Sequence, residues 1–279
     1  MDFSTENIIK SALAEDIAYG DITSEICVSA DKRANGYFTA KENGIICGTE
    51  ILCDTFHIID NEIDISLKVK DGDKVEKGDV IAEISGSARH ILMGERTALN
   101  FIQHLSGIAT KTFCAVQSVK GFGARITDTR KTTPGLRTLE KYAVRMGGGT
   151  NHRFGLSDGI LIKDNHIAAA GGITPAVKAA KHHAPHTLKI EVETSDIGEV
   201  EEALEAGADI IMLDNMTIQQ IKEAVEKIGG RAMTEASGNM GEKDIKTVAA
   251  TDVDIISIGA LTHSAPALDI SLKFIVNGI

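Results

Sequence analysis

No apolar run in this 279-residue sequence approaches the roughly 18 residues that a membrane-spanning helix needs, so a helical membrane protein is not expected. Cysteine is scarce. Its four copies, Cys27, Cys47, Cys53 and Cys114, form no C-x-x-C, which excludes a disulfide framework and a zinc knuckle and leaves them as buried small apolar residues. Proline is equally scarce, with four copies, and no glycine period accompanies it, so a collagen-like chain is excluded. Basic residues are in deficit, 29 against 40 acidic ones, and a net charge of −11 argues against a chain that coats nucleic acid or anionic membrane by bulk attraction. The opening segment MDFSTENIIKSALAED lacks the basic and then apolar regions of a signal peptide, so a reducing cytoplasm is the expected setting.

What is present is the composition of a globular protein, 43% hydrophobic and 25% charged, long enough for two unequal domains. Residues 36–46 alternate and break at Asn43-Gly44, which predicts a hairpin. Helical spacing follows over 48–59. The stretch IDISLKVKDGDKVEKGDVIAEISG predicts strands turned at Asp71-Gly72 and Lys77-Gly78. It is similar to lipoyl and biotinyl carrier domains, but its turn is a plain Asp-Gly where a carrier would show a modifiable lysine, so a structural sandwich is the better account. Residues 87–119 predict one long helix. Beyond it, ARITD, GILIK, TLKIEVE, ADIIMLD, RAMTEA and VDIISIG alternate with helical stretches, the rhythm of a parallel (β/α) barrel.

Charged residues close these strands: Asp128, Lys163, Glu193, Asp214 and Glu235. Strands of a (β/α) barrel aim their carboxyl ends into one mouth, so alternating cationic and anionic groups there read as a site rather than as places where a strand leaves the core. Between Arg125 and Lys163 stand eight basic and three acidic residues, a local balance of +5 in an acidic chain. With His152 and the triple glycine 147–149 inside it, this stretch fits a pocket for a small polyanion. Arg125, Arg137, Lys141 and Arg145 read as members of solvated faces. Glu235-Ala236-Ser237-Gly238 and Ser257-Ile258-Gly259-Ala260 follow the last two strands, where barrels commonly bind phosphate. The His182-His183-x-x-His186 run reads as a solvated helix end rather than a metal site.

The segments GERTALNFIQHLSGIAT (94–110), DTRKTTPGLR (128–137), KYAVRMGGGTNHRFGLSDGILIKDNH (141–166), EVE (191–193), MLDN (212–215), EASGN (235–239) and ISIGALTHSAPALDISL (256–272) resemble the quinolinate phosphoribosyltransferase family of type II phosphoribosyltransferases. Two departures stand out: the family usually has SGG where this chain has Ser237-Gly238-Asn239, and commonly a cysteine where this chain has Met146. The resemblance implies an α/β fold, an open (β/α) barrel of parallel strands over 106–263 with an N-terminal α/β sandwich domain over 1–105 joined by the tail 264–279. It further implies that quinolinate and phosphoribosyl pyrophosphate give nicotinate mononucleotide, pyrophosphate and CO2, with Mg²⁺ and no organic cofactor, since the alkylated pyridine is its own electron sink.

By that resemblance Arg130, His152 and Arg153 hold the quinolinate carboxylates, joined by Arg96 from a neighbouring subunit, so a homodimer with shared sites, or a higher assembly of it, is the implied partner state. Lys131 and Lys163 lie between the pyridine acid and the pyrophosphate, and Glu193 and Asp214 stabilise the charged ribose and take Mg²⁺ through water. Ser237, Gly238, Asn239, Ile258, Gly259, Ala260 and His263 bind the 5′-phosphate. Neither nucleic acid nor membrane is an implied partner. A nicotinate phosphoribosyltransferase or a molybdenum-transport-associated relative is the alternative within this fold, and a non-catalytic carrier the alternative outside it. The cationic set Arg96, Arg130, Lys131, Arg153 and Lys163 favours a dicarboxylate.

Overall fold

The structure, a computed structural model, describes residues 3–241 and 243–275. In chain order the first elements are α1 (Phe3–Asp16), α2 (Ile22–Cys27), β1 (Arg33–Ala40), β2 (Gly44–Ile45), α3 (Thr49–Ile59), β3 (Asp64–Leu67), β4 (Lys74–Val75), β5 (Val80–Ser87) and α4 (Ala88–Ser118). Then come β6 (Arg125–Thr127), α5 (Arg137–Met146), β7 (Ile160–Ile162), α6 (Asp164–Ala170), α7 (Ile173–His183), β8 (Ile190–Thr194), α8 (Ile197–Ala206), β9 (Ile210–Asp214) and α9 (Ile218–Ile228). The chain continues with β10 (Met233–Ser237), α10 (Ile245–Ala249), β11 (Ile255–Ser257), α11 (Ala260–His263) and β12 (Ile270–Ile275).

Two units share these elements. One comprises Met1–Phe113, Thr133–Gly148 and Ser264–Ile279, the other Cys114–Thr132 and Gly149–His263. The stretch 106–263, read from the sequence as one domain, is thus divided, because α5 groups with the first unit.

In the first unit an antiparallel sheet of order β12-β1-β5-β3 forms because β1 and β5 alternate buried and exposed residues, with Phe38 opposite Ala82 and Gly36 opposite Ile84. Leu52 and Phe56 of α3 and Ile91, Ala98 and Ile102 of α4 close over the buried face, and the Phe38 and Phe56 rings meet at 6.0 Å in a tilted pair. The hairpin expected at Asn43-Gly44 does not form: β1 pairs with β5 and β12, and β2 pairs instead with β4. Neither Asn43 nor Gly44 has the positive φ of a tight hairpin turn, and the register follows the face that β1 buries against β5 and β12.

Three further expectations are corrected. Lys141 is not on a solvated face but is 2% exposed on α5, beside Glu140, whose buried carboxylate meets His104 at 2.8 Å. Gly147 serves packing rather than anion binding, since a Cβ there would stand 2.4 Å from the Ala109 carbonyl oxygen of α4. Of the cysteines, Cys47 is buried and its thiol is pushed up by burial, whereas Cys27 and Cys114 are exposed, which corrects the buried reading for those two.

Among the described residues of the second unit every strand pairing is parallel, in the order β6-β11-β10-β9-β8-β7. Consecutive strands are neighbours and β11 returns to β6, while β6 and β7 are not joined, which makes the barrel open. Strand β9, IIMLD, is apolar until its last residue, as a strand covered on both faces must be. Polar caps set where the helices begin: Asp196 accepts the Glu199 N–H ahead of α8, and Thr217 and Gln220 form a reciprocal pair ahead of α9. The polar residue that closes each strand is therefore carried to the same end of the barrel. No helix of the described residues is long and apolar enough to cross a membrane.

Candidate active site

The carboxyl ends of the strands line a cavity of about 480 Å³ within the second unit. Its walls include Arg130, Lys131, His152, Arg153, Lys163, Glu193, Asp214, Ser237, Gly238 and Asn239, residues scattered over 110 positions and brought together by the parallel sheet. Thr129, Asn215, Glu235 and Ser257 complete the polar lining. Arg96 lies on α4 in the other unit, outside this lining.

The 151–153 arm is built on a buried anion. Asp128, fully buried just past the end of β6, accepts the Asn151 side-chain amide at 2.6 Å and the His152 backbone N–H at 2.9 Å. His152 in turn accepts the Arg153 backbone N–H at Nδ1 (2.7 Å), so its ring proton sits on Nε2, which faces Glu191 Oε2 at 3.1 Å and Glu235 Oε1 at 3.6 Å. Both ring nitrogens are thereby engaged within the protein, which departs from the expectation that this imidazole holds a carboxylate of the substrate. Arg153 donates Nη1 to the Gly159 carbonyl at 2.9 Å, and burial together with the nearby Arg130 holds its pKa below the usual arginine range. A dicarboxylate entering between the two guanidiniums would relieve that repulsion.

On the anionic side, Lys163 and Glu193 form an ion pair across β7 and β8, and Asp214 accepts the Asn215 side-chain amide at 2.7 Å. Glu193 and Asp214 supply hard oxygen donors from adjacent strands, but among the described residues they are not part of any cluster of three protein ligands. Two carboxylates suit Mg²⁺ when substrate oxygens and water fill the other positions.

The turn after β10 is shaped for close approach. Gly238 has φ +85°, and a Cβ there would lie 2.3 Å from Asn215 Oδ1 and 2.6 Å from the Asn215 amide nitrogen. Asn239, which stands where the resembling family has glycine, has φ +53°, a left-handed conformation that asparagine tolerates better than most residues. The substitution thus keeps the turn. After β11, Gly259 lies beside Lys131 and His263, since a Cβ on it would approach the Lys131 Cδ at 3.1 Å and the His263 ring at 3.3 Å. Thr262 Oγ1 donates to the Lys131 carbonyl at 2.7 Å, tying α11 to the loop after β6. The Ile258 side chain is buried and its amide donates to the Thr127 carbonyl at 3.0 Å, so this amide is committed to the fold, contrary to its expected part in phosphate binding.

Sequence reasoning passed over Glu191 as a site residue and used Asp128 and Glu235 only as strand ends. The alternation in EVE was the available signal: Glu191 and Glu193 are two apart on β8 and share a face. Glu191 is 4% and Glu235 2% exposed, and each has an Oε1 atom without a hydrogen-bond partner. Burial, with Glu191 adding to it, pushes Glu235 up to about 7. The run at His182, His183 and His186 assembles no metal cluster among the described residues; the one cluster of that kind is His152, Glu191 and Glu235.

Comparison with known proteins places these features in a lineage. The family model for the quinolinate phosphoribosyl transferase N-terminal domain matches residues 21–106, and that for the C-terminal domain matches 108–273. The chain is 46% identical to the "Probable nicotinate-nucleotide pyrophosphorylase [carboxylating]" of Bacillus subtilis, over 96% of this chain and 92% of that one. It is 42% identical to "Quinolinate phosphoribosyltransferase [decarboxylating] 2a, mitochondrial" of Nicotiana tabacum, over 97% and 82% respectively. Among solved structures, the nicotinate-nucleotide pyrophosphorylase of Francisella tularensis superposes with a TM-score of 0.92 at 42% identity, covering 97% of this chain and 96% of that one.

Proposed function

The chain belongs to the quinolinate phosphoribosyltransferase family, and from that premise we propose how its barrel mouth transfers a phosphoribosyl group to quinolinate with loss of CO2, yielding nicotinate mononucleotide for NAD biosynthesis. The observation that carries the reading is that one cavity gathers Arg153, the neighbouring Arg130 and Lys131 together with Glu193 and Asp214. The cationic group suits a dicarboxylate, the anionic pair a sugar that becomes cationic.

Arg130 and Arg153 take the two quinolinate carboxylates, and His152 acts as a positioning residue that sets the Arg153 backbone. Quinolinate nitrogen then attacks the anomeric carbon of phosphoribosyl pyrophosphate as pyrophosphate leaves. Glu193 and Asp214 face the oxocarbenium-like charge that develops on the ribose, and Lys163, paired with Glu193 in the free protein, is released toward the leaving pyrophosphate as ligands enter. Glu193 and Asp214 would hold Mg²⁺, which would supply charge neutralisation for the pyrophosphate. Ser237, Gly238 and Asn239, with Gly259, Ala260 and His263, receive the 5′-phosphate, to which the Gly238 turn allows close backbone approach.

Arg96 completes the site from a second copy of the chain, which makes a homodimer the working unit. Four free cysteines suit a reducing cytoplasm.

The test is direct. Purified chain given quinolinate, phosphoribosyl pyrophosphate and Mg²⁺ should form nicotinate mononucleotide, pyrophosphate and CO2 in equal amounts, and nicotinate offered instead should not be turned over. Turnover of nicotinate alone would replace this reading with that of a monocarboxylate enzyme.

A further inference from the structure

The reaction proposed above leaves one step without an assigned group. When the carboxylate beside the ring nitrogen departs as CO2, the bonding pair stays on the ring carbon, and that carbon must gain a proton. Glu235 stands at the floor of the cavity on β10, 2% exposed, with Oε1 unpartnered. It also lines a second cavity of about 500 Å³, which opens at the amino ends of the strands past Arg125, Ile210 and Ile255. His152, Arg153 and Glu235 are the residues common to both cavities.

Glu191 approaches from β8, His152 from the 151–153 arm and Lys163 from the end of β7, while β11 contributes the Ser257 hydroxyl and β9 the apolar register partner Met212. Ligand atoms of His152, Glu191 and Glu235 lie within 4.8 Å of one another, so two buried carboxylates share a small volume. The Nε2 proton of His152 points at Glu191, and Arg153 adds attraction for the same carboxylate, whereas Glu235 Oε1 stands farther from that nitrogen, at 3.6 Å. A second buried anion at that distance is disfavoured, and the proton belongs on Glu235.

A metal ion is the competing account of this trio, and the imidazole opposes it. His152 accepts the Arg153 N–H at Nδ1, which leaves the ring proton on Nε2, the atom that would have to face an ion with a lone pair.

We propose that Glu235 is the acid that protonates the ring carbon vacated by CO2. The inference rests on the decarboxylating reading of the site. The carbon–carboxylate bond breaks, its electron pair remains on the ring carbon, and that pair takes the proton from the Glu235 carboxyl. Glu235 becomes a carboxylate beside Glu191 and regains a proton from water in the second cavity, whose polar walls admit it without opening the substrate side. No oxidant, reductant or further reactant is needed.

Single-turnover quench experiments on the full chain separate the two halves of the reaction. In Glu235→Gln, which keeps size and polarity but has no acidic proton, pyrophosphate release should stay within threefold of wild type. CO2 release should fall at least tenfold, with the carboxylated mononucleotide building up. Glu235→Asp, which keeps the acid, should recover at least a third of the CO2 release. Equal rates of both products in the Gln variant would overturn the proposal, as would parallel slowing of both with weakened quinolinate binding, the mark of a structural role. Should the Gln chain not fold, the Asp variant decides: CO2 release slowed by up to threefold with pyrophosphate release unchanged supports the proposal, and rates of both products that are unchanged or slowed in parallel overturn it. A wild-type chain that releases no pyrophosphate from the two substrates would instead refute the functional reading beneath it.

Discussion

The Asp128 carboxylate, fully buried at the end of β6, accepts the backbone N–H of His152 at 2.9 Å, so one strand's last charge anchors the arm that carries Arg153. This places a cavity-lining guanidinium under the control of a residue 25 positions earlier. Asp128→Asn removes the charge from that bond, worth about 1.5 to 3 kcal/mol. The KM for quinolinate should rise at least tenfold while that for phosphoribosyl pyrophosphate changes less than threefold. Equal shifts in both would mean that Asp128 supports the barrel and not the arm.

Gly238 and Asn239 should respond in opposite ways. Gly238→Ala brings a Cβ within 2.3 Å of Asn215 Oδ1 at φ +85°, and kcat/KM for phosphoribosyl pyrophosphate should fall at least tenfold. Asn239→Gly keeps a conformation that glycine adopts freely, and activity should stay within threefold of wild type. Steady-state kinetics with that substrate varied would check both, and a silent Gly238→Ala would detach the turn from phosphate binding.

Assembly is tested by complementation. Chains carrying Arg96→Ala and chains carrying Glu193→Gln should each be inactive, yet co-expressed together they should regain activity, because a mixed dimer has one site with both lesions and one with neither. Recovery is limited to one working site per mixed dimer. Verified mixed dimers with no more activity than either parent would assign Arg96 to its own subunit's site or to none.

Stability should carry the signature of Glu235. Its ordinary value of 4.5 is raised to about 7 by burial, so the folded state holds this proton more tightly than the unfolded one, and stability is lost as pH rises through that window. Glu235→Gln has no proton to lose. Its Tm should therefore gain several degrees on that of wild type between pH 5 and pH 8, read by thermal melts at each pH. A difference that is constant with pH would mean that Glu235 remains ionised in the folded protein.

Much of the barrel was legible because its signals are local. ADIIMLD and VDIISIG are short apolar runs closed by polar residues, and backbone geometry alone then sends those residues to one mouth. The same logic delivered Arg130, Lys131, Lys163, Glu193 and Asp214 to a single cavity. DTRKTTPGLR and the GGG-x-NHR stretch added family identity, which composition could not supply.

What the sequence did not decide is what depends on partners distant along the chain. Asn43-Gly44 carries a hairpin signal, yet β1 found β5 and β12, because register is set by the face that can be buried and not by the nearest turn. Lys141 has the composition of a surface residue, but the packing of α5 encloses it. His152 carries the signal of a ligand-binding imidazole, and only the folded chain brings up the Arg153 amide and Glu191 to occupy its two nitrogens. Only the folded sheet brought Glu235 of β10 close to Glu191 of β8 across the intervening β9, two carboxylates 44 positions apart whose chemistry follows from the small volume they share. Periodicity and strand-end chemistry are written residue by residue, whereas burial, tautomer and proton affinity belong to neighbourhoods that exist only once the sheet has closed around them.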